Sequence, residues 1–208
     1  TPIPGIAQPI AASPDDPGTV YARRVDSLDV VRSTDGGATF SATQDLPIAP
    51  SDEMIDLHAT YGRNPTVFVT FAEGGLFRSD NRGATWRRVG FTHFRPRVTS
   101  EPNNPQRVYV ANVLGLYAST RGGRAGSFRP LANAGVVGFF PQPTAIAAAS
   151  GGPYVIAEST LLEPDGQLNY ALTPLRGVQS FGTQALSIHP LDPQRIAISS
   201  YTGCIDVF

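Results

Sequence analysis

The sequence predicts an all-β fold built from repeated four-stranded antiparallel sheets. A stretch that reads R-S-T-D-G-G-A-T-F at 32–40 returns as R-S-D-N-R-G-A-T-W at 78–86. A second pattern, a proline turn that leads into a β-branched strand, recurs at a constant spacing. The 208 residues also include 21 glycines and 19 prolines, as expected for a chain of many short strands that needs many turns.

Each copy of the first pattern is predicted to form a turn between two strands. The serine and the Asp or Asn side chains can hydrogen bond to nearby backbone N–H groups, and the glycine allows a positive φ. The threonine then restarts an extended strand, and the aromatic ring can pack on a neighbouring sheet. These positions are Ser33, Asp35, Gly37, Thr39 and Phe40 in the first copy and Ser79, Asn81, Gly83, Thr85 and Trp86 in the second.

The proline turns give the period of the repeat. Pro14 and Pro102 are 88 residues apart, and so are Pro102 and Pro190. Weaker copies of the same turn lie between them at 61–69 and 150–157, so the period is half of 88, or 44 residues. Repeats of about 40–45 residues with four strands each are typical of β-propellers. We therefore expect one β-propeller domain over 1–208, made of five four-stranded antiparallel blades.

The blades are expected at about 8–45, 54–90, 95–132, 143–175 and 184–208, with 1–5 completing the last one. Within them the first strands are expected at 10–12, 55–57, 97–99, 145–147 and 186–188, and the second strands at 20–22, 67–69, 108–110, 154–156 and 196–198. The third strands fall at 30–31, 76–77, 116–117, 161–162 and 205–207, and the fourth at 40–42, 86–89, 128–130 and 170–172.

The two ends of the chain leave two interpretations open. In the first, residues 1–5 form the missing fourth strand of the last blade and close a five-bladed ring. In the second, the chain is a fragment of a six- or seven-bladed ring. Full closure is favoured because it alone removes exposed sheet edges.

The repeated turn resembles the Asp-box, or BNR repeat, whose pattern is S-x-D-x-G-x-T-[WF]. The first copy fits at every position, and the second departs only at Asn81, where the pattern has Asp. A third copy beginning at Ser119 has Arg121 at the acidic position, and the fourth keeps only Pro164, Asp165 and Gly166. The resemblance implies a β-propeller like those of sialidases, xyloglucan-active glycoside hydrolases and sortilin-type receptors, many of them secreted. It implies a structural box that lies away from the active face.

Charge and composition exclude several classes of partner. A formal net charge of −1 argues against nucleic-acid and anionic-membrane binding. No long apolar span predicts membrane insertion. The single cysteine, Cys204, cannot form an internal disulfide, although a large core allows export without one. The resemblance makes an extracellular or periplasmic location the expectation.

No motif predicts a cofactor or a metal site. The chain has no phosphate-binding glycine loop and no dinucleotide fingerprint. Its three histidines, His58, His93 and His189, are far apart and lack zinc-ligand spacing. The pair Asp15 and Asp16 fits an Asx turn better than a calcium loop.

The sequence favours a non-catalytic scaffold that binds a protein or a carbohydrate. The loops opposite the boxes carry rings and cations of the types that anchor interfaces. The expected binding face consists of His93, Phe94, Arg95, Arg97, Phe139 and Phe140.

The alternative is a glycoside hydrolase or sialidase-like enzyme, or a fragment of one. Glycoside hydrolysis requires two carboxylates facing each other across a cleft. The loop carboxylates available for that role are Asp52, Glu53, Asp56, Glu73 and Glu158. Sequence spacing does not bring any two of them together, and the arginine-containing motif of sialidases is missing, since Phe94-Arg95-Pro96 lacks its intervening residue.

Overall fold

A computed structural model gives the fold of residues 5–13, 15–131, 142–157, 160–164, 170–174, 183–189, 192–200 and 205–207. In these segments the only helices or strands are nineteen β-strands. The first ten are β1 (Ile6–Ser13), β2 (Asp16–Arg24), β3 (Val30–Ser33), β4 (Ser41–Ala42), β5 (Met54–Ala59), β6 (Val67–Phe71), β7 (Gly75–Ser79), β8 (Arg87–Gly90), β9 (Arg97–Glu101) and β10 (Asn104–Asn112). The others are β11 (Gly115–Ser119), β12 (Arg129–Pro130), β13 (Pro143–Ala149), β14 (Gly152–Ala157), β15 (Thr160–Pro164), β16 (Tyr170–Pro174), β17 (Thr183–His189), β18 (Asp192–Ser200) and β19 (Ile205–Val207).

The strands form five sheets in which hydrogen-bonded neighbours are consecutive in the chain. Four sheets have four strands each, β1 to β4, β5 to β8, β9 to β12 and β13 to β16. The fifth contains β17, β18 and β19 within the described residues. Antiparallel hairpins link the strands, as in the β6–β7 pair, where Val69 lies opposite Phe77. Each strand predicted from the sequence overlaps a strand of the structure, so the all-β prediction of four-stranded repeats is confirmed.

The chain divides into two compact units, residues 1–98 with 124–126 and residues 99–123 with 127–208. In the first unit, Tyr21 and Val30 of the first sheet pack with Val69, Phe71 and Phe77 of the second. The edge-to-face contact of Phe71 with Phe77, at 5.9 Å between ring centroids, lies inside that core. Side chains alternate between the two faces of a strand, so residues two positions apart, such as Val69 and Phe71, face the same core.

In the second unit the sheets join through two apolar clusters. Leu116 of the third sheet packs with Leu162 of the fourth. Ile156 of the fourth sheet packs with Ile196 and Ile198 of the fifth. Buried apolar area of this kind contributes about 25 cal/mol per Å² to folding, so each sheet depends on its neighbour for its core.

The first repeated turn is closed by its own side chains. Ser33 Oγ donates a hydrogen bond to Asp35 Oδ1 (2.6 Å) and accepts one from the N–H of Gly37 (2.8 Å). Asp35 in turn accepts the N–H of Thr39 (2.9 Å) and its hydroxyl (2.6 Å). Gly37 has a φ of 95°, which is the left-handed conformation predicted for it.

The second turn makes the same connections with an amide. Ser79 Oγ donates to Asn81 Oδ1 (3.0 Å) and accepts the N–H of Gly83 (2.8 Å). Asn81 Oδ1 accepts the N–H of Thr85 (2.8 Å), while Asn81 Nδ2 donates to the Thr85 hydroxyl (2.9 Å). The amide therefore replaces the carboxylate without loss of a hydrogen bond, because the threonine hydroxyl can accept as well as donate.

The third turn keeps the serine and discards the acidic position. Ser119 Oγ accepts the N–H groups of Arg121 and Gly123, both at 3.1 Å. Its hydroxyl also shares a 2.6 Å hydrogen bond with Ser127 Oγ. Ser33, Ser79 and Ser119 are each 1% exposed, so the buried serine hydroxyl is the constant element of all three turns.

Several sequence predictions fall outside the described residues. Phe139, Phe140, Glu158, Asp165, Gly166 and Cys204 belong to this group. So do residues 1–4, 201–204 and 208, on which ring closure depends. The five-bladed ring and the blade limits stay predictions.

Candidate functional site

The candidate site lies at the end of the second sheet opposite its repeated turn. Three segments meet there through the backbone. The N–H of His93 donates to Glu73 O (3.0 Å), the N–H of Arg95 donates to Ala72 O (3.3 Å), and the N–H of Ala72 donates to Glu53 O (2.9 Å). We call residues 52–56, 72–75 and 91–97 the loop cluster.

The 91–95 segment has an unusual backbone conformation. Phe91, His93 and Arg95 have φ values of 61°, 65° and 45°. Left-handed conformations in non-glycine residues cost on the order of 1–3 kcal/mol each, and they persist only where surrounding contacts fix them. Such strain is concentrated at binding and catalytic sites, which singles out this segment for a functional role.

Two side-chain pairs fix the strained segment. The Arg95 guanidinium donates two hydrogen bonds to Glu53, at 2.8 and 3.1 Å, and the His93 imidazole contacts the Glu73 carboxylate through Nδ1. The hydrogen bond from Arg95 lowers the pKa of Glu53 below its ordinary value. Both pairs are largely exposed, so they contribute little to stability and present their polar atoms to solvent.

Asp52 is a structural residue of the loop cluster. Its Oδ1 accepts the N–H groups of Glu53 (2.8 Å) and Glu73 (3.0 Å), and its Oδ2 accepts the N–H of Gly74 (2.8 Å). A Cβ atom on Gly74 would lie 2.9 Å from Asp52 Oδ2. The glycine therefore permits the close approach by which Asp52 connects the first and second segments of the cluster.

Asp56 connects the second sheet to the start of β9. Its Oδ1 accepts the N–H of Leu57 (2.9 Å) and its Oδ2 accepts the N–H of Val98 (3.0 Å). Arg97 donates to Ile55 O at 2.9 Å. Burial raises the pKa of Asp56, while Arg97 and the two N–H groups act in the opposite direction. Through these two hydrogen bonds the Asp56 carboxylate joins β5 to β9.

The structure thus unites two sets of residues that the sequence left separate. His93, Arg95 and Arg97 of the expected binding face lie in one cluster with four of the five carboxylates considered for hydrolysis. Glu158 lies outside the described residues. His93 is exposed, whereas Phe94, Arg95 and Arg97 are partly buried. Nothing in the sequence marks 91–95 as left-handed, because it contains no glycine.

Of the other two histidines, His58 lies on β5 outside the loop cluster. Burial lowers the pKa of His58 to about 4, so its ring is neutral at physiological pH. Among the described residues, no three His, Cys, Asp or Glu side chains are grouped as metal ligands would be. The same residues include no helix long and apolar enough to cross a membrane.

A separate open cavity of about 430 Å³ lies on the first sheet. Ile6, Val31 and Phe40 supply apolar walls, and Arg24 and Asp26 supply charged ones. None of the residues of the loop cluster lines it, so it is a distinct concave surface of the first unit.

Comparison with known proteins places the fold. No family model matches the chain. A xyloglucanase of Paenibacillus sp is 34% identical over 124 residues, which cover 54% of this chain and 12% of that protein. The crystal structure of the GH74 enzyme of Niastella koreensis superposes with a TM-score of 0.70 at 16% identity, over 93% of this chain and 33% of the enzyme.

A second kind of protein has the same fold. YCF48 bound to the D1 peptide superposes with a TM-score of 0.63 at 11% identity, over 94% of this chain and 63% of that one. The fold is a β-propeller. The likeness to the xyloglucanase and to GH74 relates this β-propeller to those of glycoside hydrolases. The chain spans about a third of the GH74 enzyme and about an eighth of the xyloglucanase.

Proposed function

We propose that the chain is part of a β-propeller that binds a polysaccharide, and that the loop cluster makes the contact. The observation that carries the proposal is the 34% sequence identity to a xyloglucanase, in an alignment that covers 54% of this chain. The geometry adds to it, because strain, exposed polar atoms and a partly buried ring occur together at residues 91–95. Polar groups that fix orientation beside apolar surface are typical of ligand sites.

The charge of the loop cluster favours an uncharged ligand. Glu53 is paired with Arg95, and Glu73 contacts the His93 imidazole, so each exposed carboxylate already has a partner. A charged ligand would leave one member of a pair unsatisfied. The hydroxyl groups of a neutral glycan can instead donate to the carboxylates and accept from the guanidinium, since both groups have unused hydrogen-bonding capacity.

Glycoside hydrolysis is the second candidate function, and Asp56 is the residue that favours it. A glycosidase needs one carboxyl that holds a proton, and burial raises the pKa of Asp56 in that direction. Glu53 and Glu73 are the exposed carboxylates of the same cluster. In this role the chain would supply part of the catalytic surface of a longer protein related to xyloglucan-acting enzymes.

The proposal extends to family and location. The two turns that end in Phe40 and Trp86 are Asp-boxes in this interpretation, with the structural role that the resemblance implies. An extracellular location follows from a polysaccharide ligand. A peptide is the competing ligand class, since one propeller of this fold is bound to a peptide.

Binding of xyloglucan oligosaccharides, measured by isothermal titration calorimetry, tests the proposal. We expect saturable binding that weakens at least about tenfold in Arg95→Ala, which corresponds to about 1.4 kcal/mol, and that Arg95→Lys does not restore because the second hydrogen bond is lost. Arg87→Ala, on the exposed side of β8, is the matched control and should bind normally. Equal affinity in Arg95→Ala and Arg87→Ala would contradict the assignment of the site.

Release of reducing ends from xyloglucan separates binding from hydrolysis. If the chain hydrolyses the polymer, Asp56→Asn should abolish the release while leaving oligosaccharide affinity within about twofold, because the amide cannot supply a proton. Binding without release supports the scaffold. No interaction with any oligosaccharide, together with binding of extended peptides, would replace the glycan by a peptide.

A further inference from the structure

Three buried polar atoms between the first and second sheets have no hydrogen-bond partner among the described residues. They are Tyr21 Oη, Asp16 Oδ2 and Arg32 Nε. Tyr21 is fully buried. A buried polar group without a partner destabilises the fold, and native proteins rarely retain several of them in one place.

A strand pairing and the contacts of Arg82 bring the three side chains near one another. Tyr21 and Arg32 lie directly opposite each other on β2 and β3, so they share one face of the first sheet. Arg32 Nη1 donates to Arg82 O (3.2 Å), and Arg82 Nη2 lies 3.5 Å from Asp16 Oδ2. Arg82 is itself held by the carbonyl of Arg63 at 2.9 Å. The second turn therefore brings Arg82 against the same face that carries Tyr21 and Arg32.

The second sheet has no buried tyrosine hydroxyl at the equivalent position. Phe68 stands where the first sheet has Tyr21, opposite Arg78 rather than Arg32. It has no hydroxyl to satisfy. Arg78 forms a direct ion pair with Asp80, whereas the residue two positions after Arg32 is Thr34. The second sheet thus needs no further molecule at this position.

In the third sheet, the tyrosine hydroxyl at this position has side-chain partners. Tyr109 occupies the position equivalent to Tyr21, and the side chains of Glu101 and Arg107 both hydrogen bond to its hydroxyl. The tyrosine of the third sheet is therefore satisfied by protein atoms. Among the described residues of these three sheets, only the first sheet keeps a buried tyrosine hydroxyl without a hydrogen bond, together with Asp16 Oδ2 and Arg32 Nε, which also lack one.

We infer that one structural water molecule lies between these side chains and bridges Tyr21 Oη, Asp16 Oδ2 and Arg32 Nε. The charges decide the class of occupant. Two guanidinium groups, those of Arg32 and Arg82, exclude a cation, and the carboxylate of Asp16 excludes an anion. A neutral molecule that both donates and accepts satisfies all three atoms: it accepts from Arg32 Nε, donates to Asp16 Oδ2 and completes its shell with Tyr21 Oη. Buried waters typically make about three such bonds.

A crystal structure of the protein at a resolution that shows ordered solvent tests the inference. We expect one peak within hydrogen-bond distance of all three atoms, and no anomalous signal there after a bromide soak. Direct contact between the three side chains, with no peak, would overturn the inference. A bromide peak would overturn it as well, because it would show an anion site.

Two variants extend the test to solution. Tyr21→Phe removes one of the three partners, so the melting temperature should fall by on the order of 2–4 °C for a chain of this size and the solvent peak should weaken or vanish. Tyr21→Phe combined with Thr34→Asp reproduces the arrangement of the second sheet, because Arg32 then gains a carboxylate partner like Asp80. We expect the double variant to regain the lost stability without the water. A Tyr21→Phe variant with an unchanged water peak and melting temperature would contradict the bridge.

Discussion

The two ends of the second sheet contain backbone strain of different kinds. At the turn end, the left-handed positions are Arg82 and Gly83, and the side chains of Ser79 and Asn81 close the turn by short hydrogen bonds. At the loop end, Phe91, His93 and Arg95 are left-handed together with Gly75, and exposed pairs hold His93 and Arg95. Hydrogen bonds stabilise the conformation of the turn end, whereas the left-handed residues of the loop end lower stability and lie beside exposed polar groups. Strain held by exposed loop residues is the reason for proposing the binding site at the loop end.

The largest expected effect is at the turn end. A Cβ atom on Gly83 would lie 2.6 Å from Thr43 Cγ2, and its φ is 84°. Gly83→Ala should therefore lower the free energy of unfolding by about 3 kcal/mol, from a left-handed alanine together with overpacking. Gly36→Ala is the control, because Gly36 has a similar φ of 73° but open space around it. It should cost about 1 kcal/mol; equal losses in urea unfolding would show that the contact with Thr43 is unimportant.

The serine hydroxyls come next. Ser79→Ala leaves the N–H groups of Asn81 and Gly83 without their acceptor, so we expect a loss of about 2 kcal/mol in unfolding free energy. Ser119→Ala should cost about the same, although its turn has Arg121 in place of an acidic residue. Glycan affinity should not change in either variant. A much smaller loss at Ser119 would mean that the acidic position, rather than the serine, maintains these turns.

A substitution at the loop end should raise the free energy of unfolding, in contrast to the substitutions at the turn end. His93→Gly relieves the left-handed strain at an exposed position and loses only a surface pair, so the protein should become more stable by about 0.5–1 kcal/mol. The same variant should weaken glycan binding, since it removes a polar group from the proposed site. His93→Asn, which also tolerates the left-handed region, separates the backbone effect from the imidazole. Destabilisation by His93→Gly would refute the claim of strain.

The smallest effect is electrostatic and belongs to the first turn. Hydrogen bonds from Ser33, first, and from Thr39 lower the pKa of Asp35 well below its ordinary value of 3.8. A lowered pKa contributes stability that is present above that ordinary value and is lost as the pH falls below it. Asp35→Asn should therefore reduce the loss of stability at acid pH, because it gives the first turn the amide that the second turn has at Asn81. Thermal melts of both proteins between neutral pH and strong acid measure the difference, which should be slight because Asp35 is exposed.

Local rules account for the parts of the structure that were predicted correctly. The serine, the glycine and the threonine of the first two turns interact with residues at most four positions away, so sequence spacing alone is enough to foresee their geometry. Strand positions follow for a related reason. Alternation of side chains fixes which face of a strand is buried, and a constant period repeats that information in every sheet.

Contacts between distant segments were not predictable in this way. Asp15, which fits an Asx turn by sequence, instead accepts the N–H of Gly62 at 2.7 Å, from the neighbouring sheet. Asp52, taken as a candidate for hydrolysis, proves to hold three backbone N–H groups, two of them more than twenty residues away. Neither role has a signature in local composition, because the partner is a backbone group that every residue possesses.

The sequence by itself determined the repeat, its 44-residue period and the hydrogen-bonded turns, because each of these depends on neighbours along the chain. The tertiary structure alone decided that Glu53 pairs with Arg95 and Glu73 with His93, and that residues 91, 93 and 95 adopt left-handed conformations. Those features depend on how three loops from separate strands converge, and the convergence is fixed by sheet packing rather than by any residue within the loops.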